Sequence, residues 1–219
     1  MVFIDVPDVG PGLRVGDCTI AWEEHVNYFT QNVLERTLDT FGFTPVAFEK
    51  FNYSGGTLAV MARRKRSTDH YVPSSAFHVL ATSFSERVAD YRERLTSALR
   101  EAKTIFDNIV IYGVGCRACT LVNGLGLADL IDFAVDDQAE RQGKLMPGSH
   151  LPVHDSKILA RPGTSSLVLL AVNQENEANV TSRTRAACAE SAIEFLVVFG
   201  PADISAQLDD FVRTAAAAR

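Results

Sequence analysis

An α/β fold, with a parallel sheet in the second half of the chain, is what the sequence predicts on three observations. Short apolar runs at 109–112, 131–135, 167–172 and 195–199 alternate with helical stretches, and strands that alternate with helices pair in parallel, with helices on both faces. A glycine turn, Gly113-Val114-Gly115, directly follows the first of these runs and opens a helix. The chain is 47% hydrophobic over 219 residues, enough apolar material for a core on each face of such a sheet.

The elements follow in order. Residues 2–6 form a short apolar run stopped by Pro7 and read as a strand. Residues 8–17, with three glycines and a proline, read as loop. Val33, Leu34, Thr37, Leu38 and Phe41 fall on one face of a helix. Thr30 is placed to cap that helix and Gly42 to close it. Residues 43–51 and 57–61 read as two strands. This front piece, 1–62, reads as the closing part of an α/β sheet. Residues 63–106 read as a linker and a bridging helix. That helix is predicted over 83–106, with Ser83 and Glu86 as a capping box. Its apolar stripe is Phe84, Val88, Tyr91, Leu95, Leu99, Ala102 and Phe106, and Arg87, Arg92, Glu93 and Arg94 are expected to face out. Residues 107–219 form the alternating lobe, with its last helix carrying Ile204, Leu208, Phe211 and Val212.

Charge and composition exclude several classes. Lys and Arg number 21 against 27 Asp and Glu, a net charge of −6, which argues against a nucleic-acid binder or an anionic-membrane binder. No apolar run reaches the roughly 18 residues that a membrane span needs. Residues 1–7 are too short and too soon acidic for a signal peptide. Four cysteines in a chain of this length make no disulfide scaffold, so a cytoplasmic setting is expected.

The densest chemistry lies in Trp22-Glu23-Glu24-His25-Val26-Asn27-Tyr28-Phe29. A histidine beside a carboxylate suits proton transfer, because the ring titrates near neutrality and a negative neighbour orients it. The plainer reading is a polar loop whose aromatics plug a core edge. Gly113-Val114-Gly115-Cys116-Arg117-Ala118 fits a relaxed phosphate-cradling turn, and Asp136 and Asp137 lie where an acidic residue would read a ribose. Taken alone that pattern suggests NAD, or merely a tight strand-to-helix turn. Cys116 and Cys119 form one C-x-x-C without the second pair that zinc requires, so no metal is expected. The basic run 63–66 reads as solvated linker. Residues 144–153 form a loop in which His150 could line a site. Asn123 and Asn173 lie near element ends, where each could meet a ligand or cap a turn.

Taken in order, Glu24-His25-Val26-Asn27-Tyr28-Phe29, Gly55-Gly56-Thr57-Leu58, Tyr112-Gly113-Val114-Gly115-Cys116-Arg117, Thr120-Leu121-Val122-Asn123, and Gln142-Gly143 with Pro147-Gly148-Ser149-His150-Leu151-Pro152-Val153 resemble the sugar C-methyltransferases. Those enzymes methylate a carbon of nucleotide-linked keto-sugars in antibiotic (deoxysugar) and surface-polysaccharide pathways. The resemblance implies a partial methyltransferase-like lobe followed by a Rossmann-like lobe. It implies S-adenosylmethionine as methyl donor, although the family's donor-binding glycine loop and cysteine cluster have no counterpart here. It places the catalytic pair on His25 and Glu24. It places the nucleotide-diphosphate sugar against Trp22, Tyr28, Gly113, Gly115, Arg117, Asn123 and His150. Trp22-Glu23 stand where the family has Tyr-His, and Arg117 stands where it has lysine; arginine keeps the charge and forks onto phosphate.

The expected function is the catalytic-base and sugar-nucleotide half of a C-methyltransferase. A second polypeptide carrying the donor lobe, or self-association, would complete it. The alternative is a nucleotide- or sugar-binding module without turnover.

Overall fold

The computed structural model describes the chain except residues 22–24, 52, 54–55, 71–79, 81, 199–205, 209, 212 and 214–219. Glu24 and Trp22 therefore lie outside the described residues. The front of the chain is a three-stranded antiparallel sheet of β1 (Val2–Pro7), β2 (Phe43–Phe51) and β3 (Thr57–Arg64), with β3 in the centre. Helix α2 (Gln31–Thr40) buries Leu34 and Leu38 on one face of it, against Leu58, Val60 and Ala62. Thr30 caps α2 by accepting from the Val33 N–H at 3.4 Å, and Gly42 turns the chain at φ 77°, both as the sequence predicts. The basic run is less linker-like than expected. Arg63 and Arg64 end β3, Arg63 forks onto Asp69, and Lys65 pairs with Asp39.

One element of the front is new. Residues read as loop form a short helix, α1 (Gly10–Val15), with Pro11 in its first turn and Gly16 closing it at φ 75°. Proline at the start and glycine just past the end punctuate this helix, and in sequence the same residues signal loop. Gly16 is also required by packing. A Cβ there would stand 2.7 Å from the Arg87 backbone of α3 (Phe84–Ala102).

Helix α3 ties the two parts together. Its buried residues Tyr91, Leu95, Ala98, Leu99 and Ala102 join the core of the second lobe. Its Arg87 reaches the other way and donates through Nε to the Leu13 carbonyl at 3.1 Å. Arg87 therefore does not face out as the stripe predicted. Ser83 is the N-cap residue, but its side chain does not make the capping-box bond. Tyr91 is 2% exposed, and its hydroxyl donates to the Val198 carbonyl at 2.6 Å. Burial pushes that phenol well above its ordinary pKa.

The second lobe is a five-stranded, all-parallel sheet in the order β6-β5-β4-β7-β8: β4 (Asn108–Tyr112), β5 (Phe133–Val135), β6 (Val153–His154), β7 (Ser165–Leu170) and β8 (Ala192–Val197). This is the Rossmann-like parallel sheet that the sequence predicts, with β6 added from the tail of a loop. One face packs on α3 and α4 (Cys116–Leu125), through Ile109, Ile111, Leu167 and Leu169. The other packs on α5 (Gln174–Ala187), through Val110, Tyr112, Val168 and Leu170. Strand order runs outward in both directions from the β4–β7 pair, so the crevice for ligands opens beyond the carboxyl ends of those two strands. Among the described residues no helix is long and apolar enough to cross a membrane.

Two substitutions test this core. Leu95→Ala empties a site with 0% exposure and should cost about 2–5 kcal/mol in denaturant unfolding. Tyr91→Phe strands the buried Val198 carbonyl and should cost about 1–3 kcal/mol.

Candidate functional site

The turn after β4 forms the floor of the crevice. Gly113 continues the ladder by donating to the Val135 carbonyl at 2.8 Å, and the Ala171 N–H beyond β7 donates to the Tyr112 carbonyl at 2.9 Å. Gly113 holds φ 97°, and a Cβ there would lie 2.7 Å from the Ala171 oxygen. Glycine is thus required at 113 for both conformation and packing. Gly115 is different. It precedes α4 with φ −91°, and a Cβ there would meet nothing within 4 Å. Neither backbone angle nor packing calls for glycine at 115, and the open space lies at the amino end of α4.

The acidic pair after β5 is not arranged to read a ribose. Asp136, 5% exposed, accepts from the Val114 N–H at 2.8 Å, the Gln138 N–H at 2.9 Å and Arg141 Nη1 at 2.9 Å. It staples the glycine turn to the end of β5. Asp137 accepts from the Tyr112 hydroxyl at 2.9 Å and the Ser156 hydroxyl at 2.6 Å, and it pairs with Arg183. The dinucleotide reading of the turn loses its ribose acceptor to these contacts.

Arg117 stands in the first turn of α4, but its guanidinium does not project as an open phosphate fork. It is 8% exposed, with Nη2 donating to Asp17 Oδ2 at 3.1 Å. Its Nε and Nη2 donate to Thr19 Oγ1 at 3.1 and 3.0 Å. Asp17 is itself 2% exposed and accepts through Oδ1 from the Thr19 N–H at 2.9 Å and the Thr19 hydroxyl at 2.5 Å. Burial lowers the pKa of Arg117, and Asp17 opposes that shift. Glu177, in the first turn of α5, has its carboxyl pushed up by burial and by Glu175, with Arg117 opposing. This knot clamps the 3₁₀ turn Cys18–Ile20 of the front lobe onto α4. Sequence reasoning missed Asp17 and Thr19. Their spacing signals a local cap, but a partner 100 residues away leaves no local trace.

The clamp carries the histidine with it. His25 Nδ1 lies 3.2 Å from the Ile20 carbonyl oxygen, and its ring meets Tyr28 edge-on with centroids 6.0 Å apart. The following segment is pinned again, by the Val9 N–H donating to the Phe29 carbonyl at 3.0 Å. His25 and Tyr28 are thus brought together, on a segment fixed at both ends.

Asn123 and His150 form a separate group. Asn123 Nδ2 donates to the Pro147 carbonyl at 3.0 Å, and Gly148 packs so closely on the Asn123 amide that a Cβ would stand 2.5 Å away. His150 sits exposed in the same loop at φ 57°. Asn123 is seven residues along α4 from Cys116, about 10 Å at the helical rise. This group therefore lies down the helix from the crevice. No cluster of metal ligands occurs among the described residues. Cys116 and Cys119 are half-buried and in no disulfide, while burial and Asp17 push the Cys18 thiol up to about 12.

With this geometry in place, comparison with known proteins adds two findings. Residues 52–199, more than half of the chain, match the model of a family described as C-methyltransferase C-terminal domain. The chain is also 26% identical over 191 residues to C-methyltransferase NovU of Streptomyces niveus, which covers 81% of this chain and 45% of that protein. The chain thus spans about half the length of that curated relative. The glycine turn, Arg117, Asn123 and His150 fall inside the matched stretch, and His25 precedes it.

Two measurements check the knot. Arg117→Met should cost about 3–5 kcal/mol, because it takes the guanidinium from the buried Asp17 carboxylate, whereas removing both charges together should cost much less. The Cys18 thiol ionises near pH 9 when unfolded and near 12 when folded, so its contribution to stability is whole below pH 9 and is lost as pH rises from 9 towards 12. Across that window wild type should lose stability faster than Cys18→Ala, by up to about 1.4 kcal/mol per pH unit in chemical unfolding.

Proposed function

Because the chain belongs to the C-methyltransferase C-terminal domain family, we propose that it carries the general base and the sugar-nucleotide face of a C-methyltransferase acting beside a ketone of a nucleotide-linked sugar. The observation that carries this reading is the placement of His25. A buried ion pair holds the turn before it against α4, at the crevice end of the parallel sheet. Sugar C-methylation needs a base at the carbon next to the carbonyl, and a ring held this way is suited to take that proton. Glu24, its neighbour in the chain, is the carboxylate we assign to support the resulting imidazolium.

In this proposal the amino end of α4 and the open space at Gly115 face the sugar nucleotide, with uncharged N–H groups directed at the diphosphate. Tyr28, edge-on to His25, lies on the substrate side, and Trp22 is assigned there as well. Arg117 acts as a brace. Removal of the proton by His25 leaves an enolate, which is the nucleophile for methylation; donors aimed at its oxygen stabilise the charge.

The resemblance implies S-adenosylmethionine as the source of the methyl group. The glycine turn does not fit that donor, because Asp136, the residue placed to hold a ribose, has its carboxylate occupied by Val114, Gln138 and Arg141. We assign the donor to a lobe outside these residues, on the same or another polypeptide.

Proton removal can be tested without a donor. The chain should catalyse exchange of the α-proton of a nucleoside-diphosphate keto-sugar in deuterium oxide, read by NMR. His25→Ala should lower that exchange by about 10²–10⁴-fold with little change in sugar-nucleotide affinity. Binding with no exchange in wild type would favour the alternative, a sugar-nucleotide module without turnover. Gly115→Ala gives an independent reading: it should change stability by less than about 0.5 kcal/mol and weaken sugar-nucleotide binding in calorimetry.

A further inference from the structure

We infer that the buried knot of Asp17, Thr19 and Arg117 is a positioning device that fixes His25 as its Nδ1–H tautomer, so that the lone pair that accepts the substrate proton lies on Nε2. The inference rests on His25 being the base, and it assigns Asp17, Thr19 and Arg117 roles in the reaction without contact with substrate. A carbonyl oxygen has no proton to give. The contact of 3.2 Å between His25 Nδ1 and the Ile20 carbonyl is therefore a hydrogen bond only when Nδ1 carries the proton. Which ring nitrogen is protonated follows from the partner of the other, and here the partner is a backbone atom whose position the knot sets.

The path from knot to ring is short. Asp17 Oδ1 takes the Thr19 N–H at 2.9 Å and the Thr19 hydroxyl at 2.5 Å, which shapes the turn Cys18–Ile20. Arg117 holds Thr19 Oγ1 from α4 through two nitrogens, at 3.1 and 3.0 Å, and holds Asp17 Oδ2 at 3.1 Å. The Ile20 side chain occupies the space that a Cβ on Gly12 would need, 2.3 Å from its Cγ2, so α1 backs the turn from the other side. Each group of the knot is less than 10% exposed. With the turn fixed on two sides, the Ile20 carbonyl is a stationary acceptor, and the neutral ring that reaches it is selected in one tautomer.

The tautomer is read on the whole chain with ¹⁵N-labelled histidine, by NMR at a pH well above the ordinary histidine value of about 6.5. The chain has five histidines, and His25→Ala identifies the signal. In wild type, His25 should show a protonated, pyrrole-like Nδ1 and an unprotonated Nε2. Thr19→Val removes the oxygen that both Arg117 nitrogens hold, and should shift His25 towards Nε2–H while the chain still unfolds cooperatively; Thr19→Ser should restore the wild-type spectrum. In the deuterium-exchange assay Thr19→Val should lower kcat by about 10²-fold and leave KM nearly unchanged, since the wrong tautomer removes general-base catalysis and not binding. If Thr19→Val does not fold, Asp17→Asn keeps the cap and removes the charge that holds Arg117, and the same tautomer shift is expected. An Nε2–H ring in wild type, or a folded knot variant with the wild-type tautomer, overturns the proposal. Failure of the base reading is separate from this: it would appear as full exchange activity in His25→Ala, with the tautomer result unaffected.

Discussion

A buried ion pair, Arg117 with Asp17, joins the turn at 18–20 to helix α4 of the second lobe. Arg117 and Asp17 are almost without solvent and belong to different lobes, and neither could be buried at acceptable cost alone. Each meets the other where the turn at 18–20 lies on α4. The pair thus fixes the register of the turn on α4: a sliding of one past the other would separate two buried charges. Val15 and Cys18 also pack on the core that α3 shares with the second lobe, but apolar surfaces tolerate displacement and forked hydrogen bonds do not. Side chains delivered by the front lobe, His25 and Tyr28 among them, therefore inherit a defined position relative to the β4–β7 crevice.

The architecture was largely legible in the sequence, because the forces that set it are local and periodic. The apolar runs of the parallel sheet, the Thr30 cap and the stripe on α3 are each written within a few residues. The misreadings have a common form. Helix α1 was obscured because Gly and Pro signal turns as well as helix ends, and the spacing alone does not say which. Arg87 was assigned to solvent because its own helix gave it no partner; the Leu13 carbonyl that takes its Nε–H comes from the far lobe. Short strand β6 pairs with only two residues of β5 and has no periodicity to read.

The same distinction governs the site. The glycine turn was found because glycine carries its own reason, at least at Gly113, where φ and the Ala171 oxygen both exclude a side chain. The roles of Arg117 and Asp136 were mistaken because a charged side chain near a glycine turn reads as a ligand group until its partner is known. Both turn out to be joined to backbone or to a second buried charge. Asp17 and Thr19, which make that partnership, carry no signal beyond a two-residue cap. The family match covers Arg117 and stops short of His25, so that the match and the histidine are linked by geometry: by the knot that brings residue 25 to the edge of the matched domain.

Charge at the crevice limits where a diphosphate could lie. Around Arg117 stand Asp17, Glu175 and Glu177, and these carboxylates together outweigh the one guanidinium. The rise in the Glu177 pKa reports the same imbalance, since its acidic neighbour and burial prevail over the cation. An anionic ligand against the amino end of α5 would meet repulsion in a poorly solvated place. The amino end of α4 at Gly115 offers unhindered space and the partial positive charge of a helix start. The proposed sugar nucleotide would accordingly lay its diphosphate along the α4 side. In the proposed reading the acidic α5 side then suits the neutral hydroxyls of a sugar, from which carboxylates accept. In that orientation the clamp that holds His25 to α4 and the helix end that attracts the diphosphate are parts of the same ten-residue helix. Base and substrate would then be positioned by one rigid element.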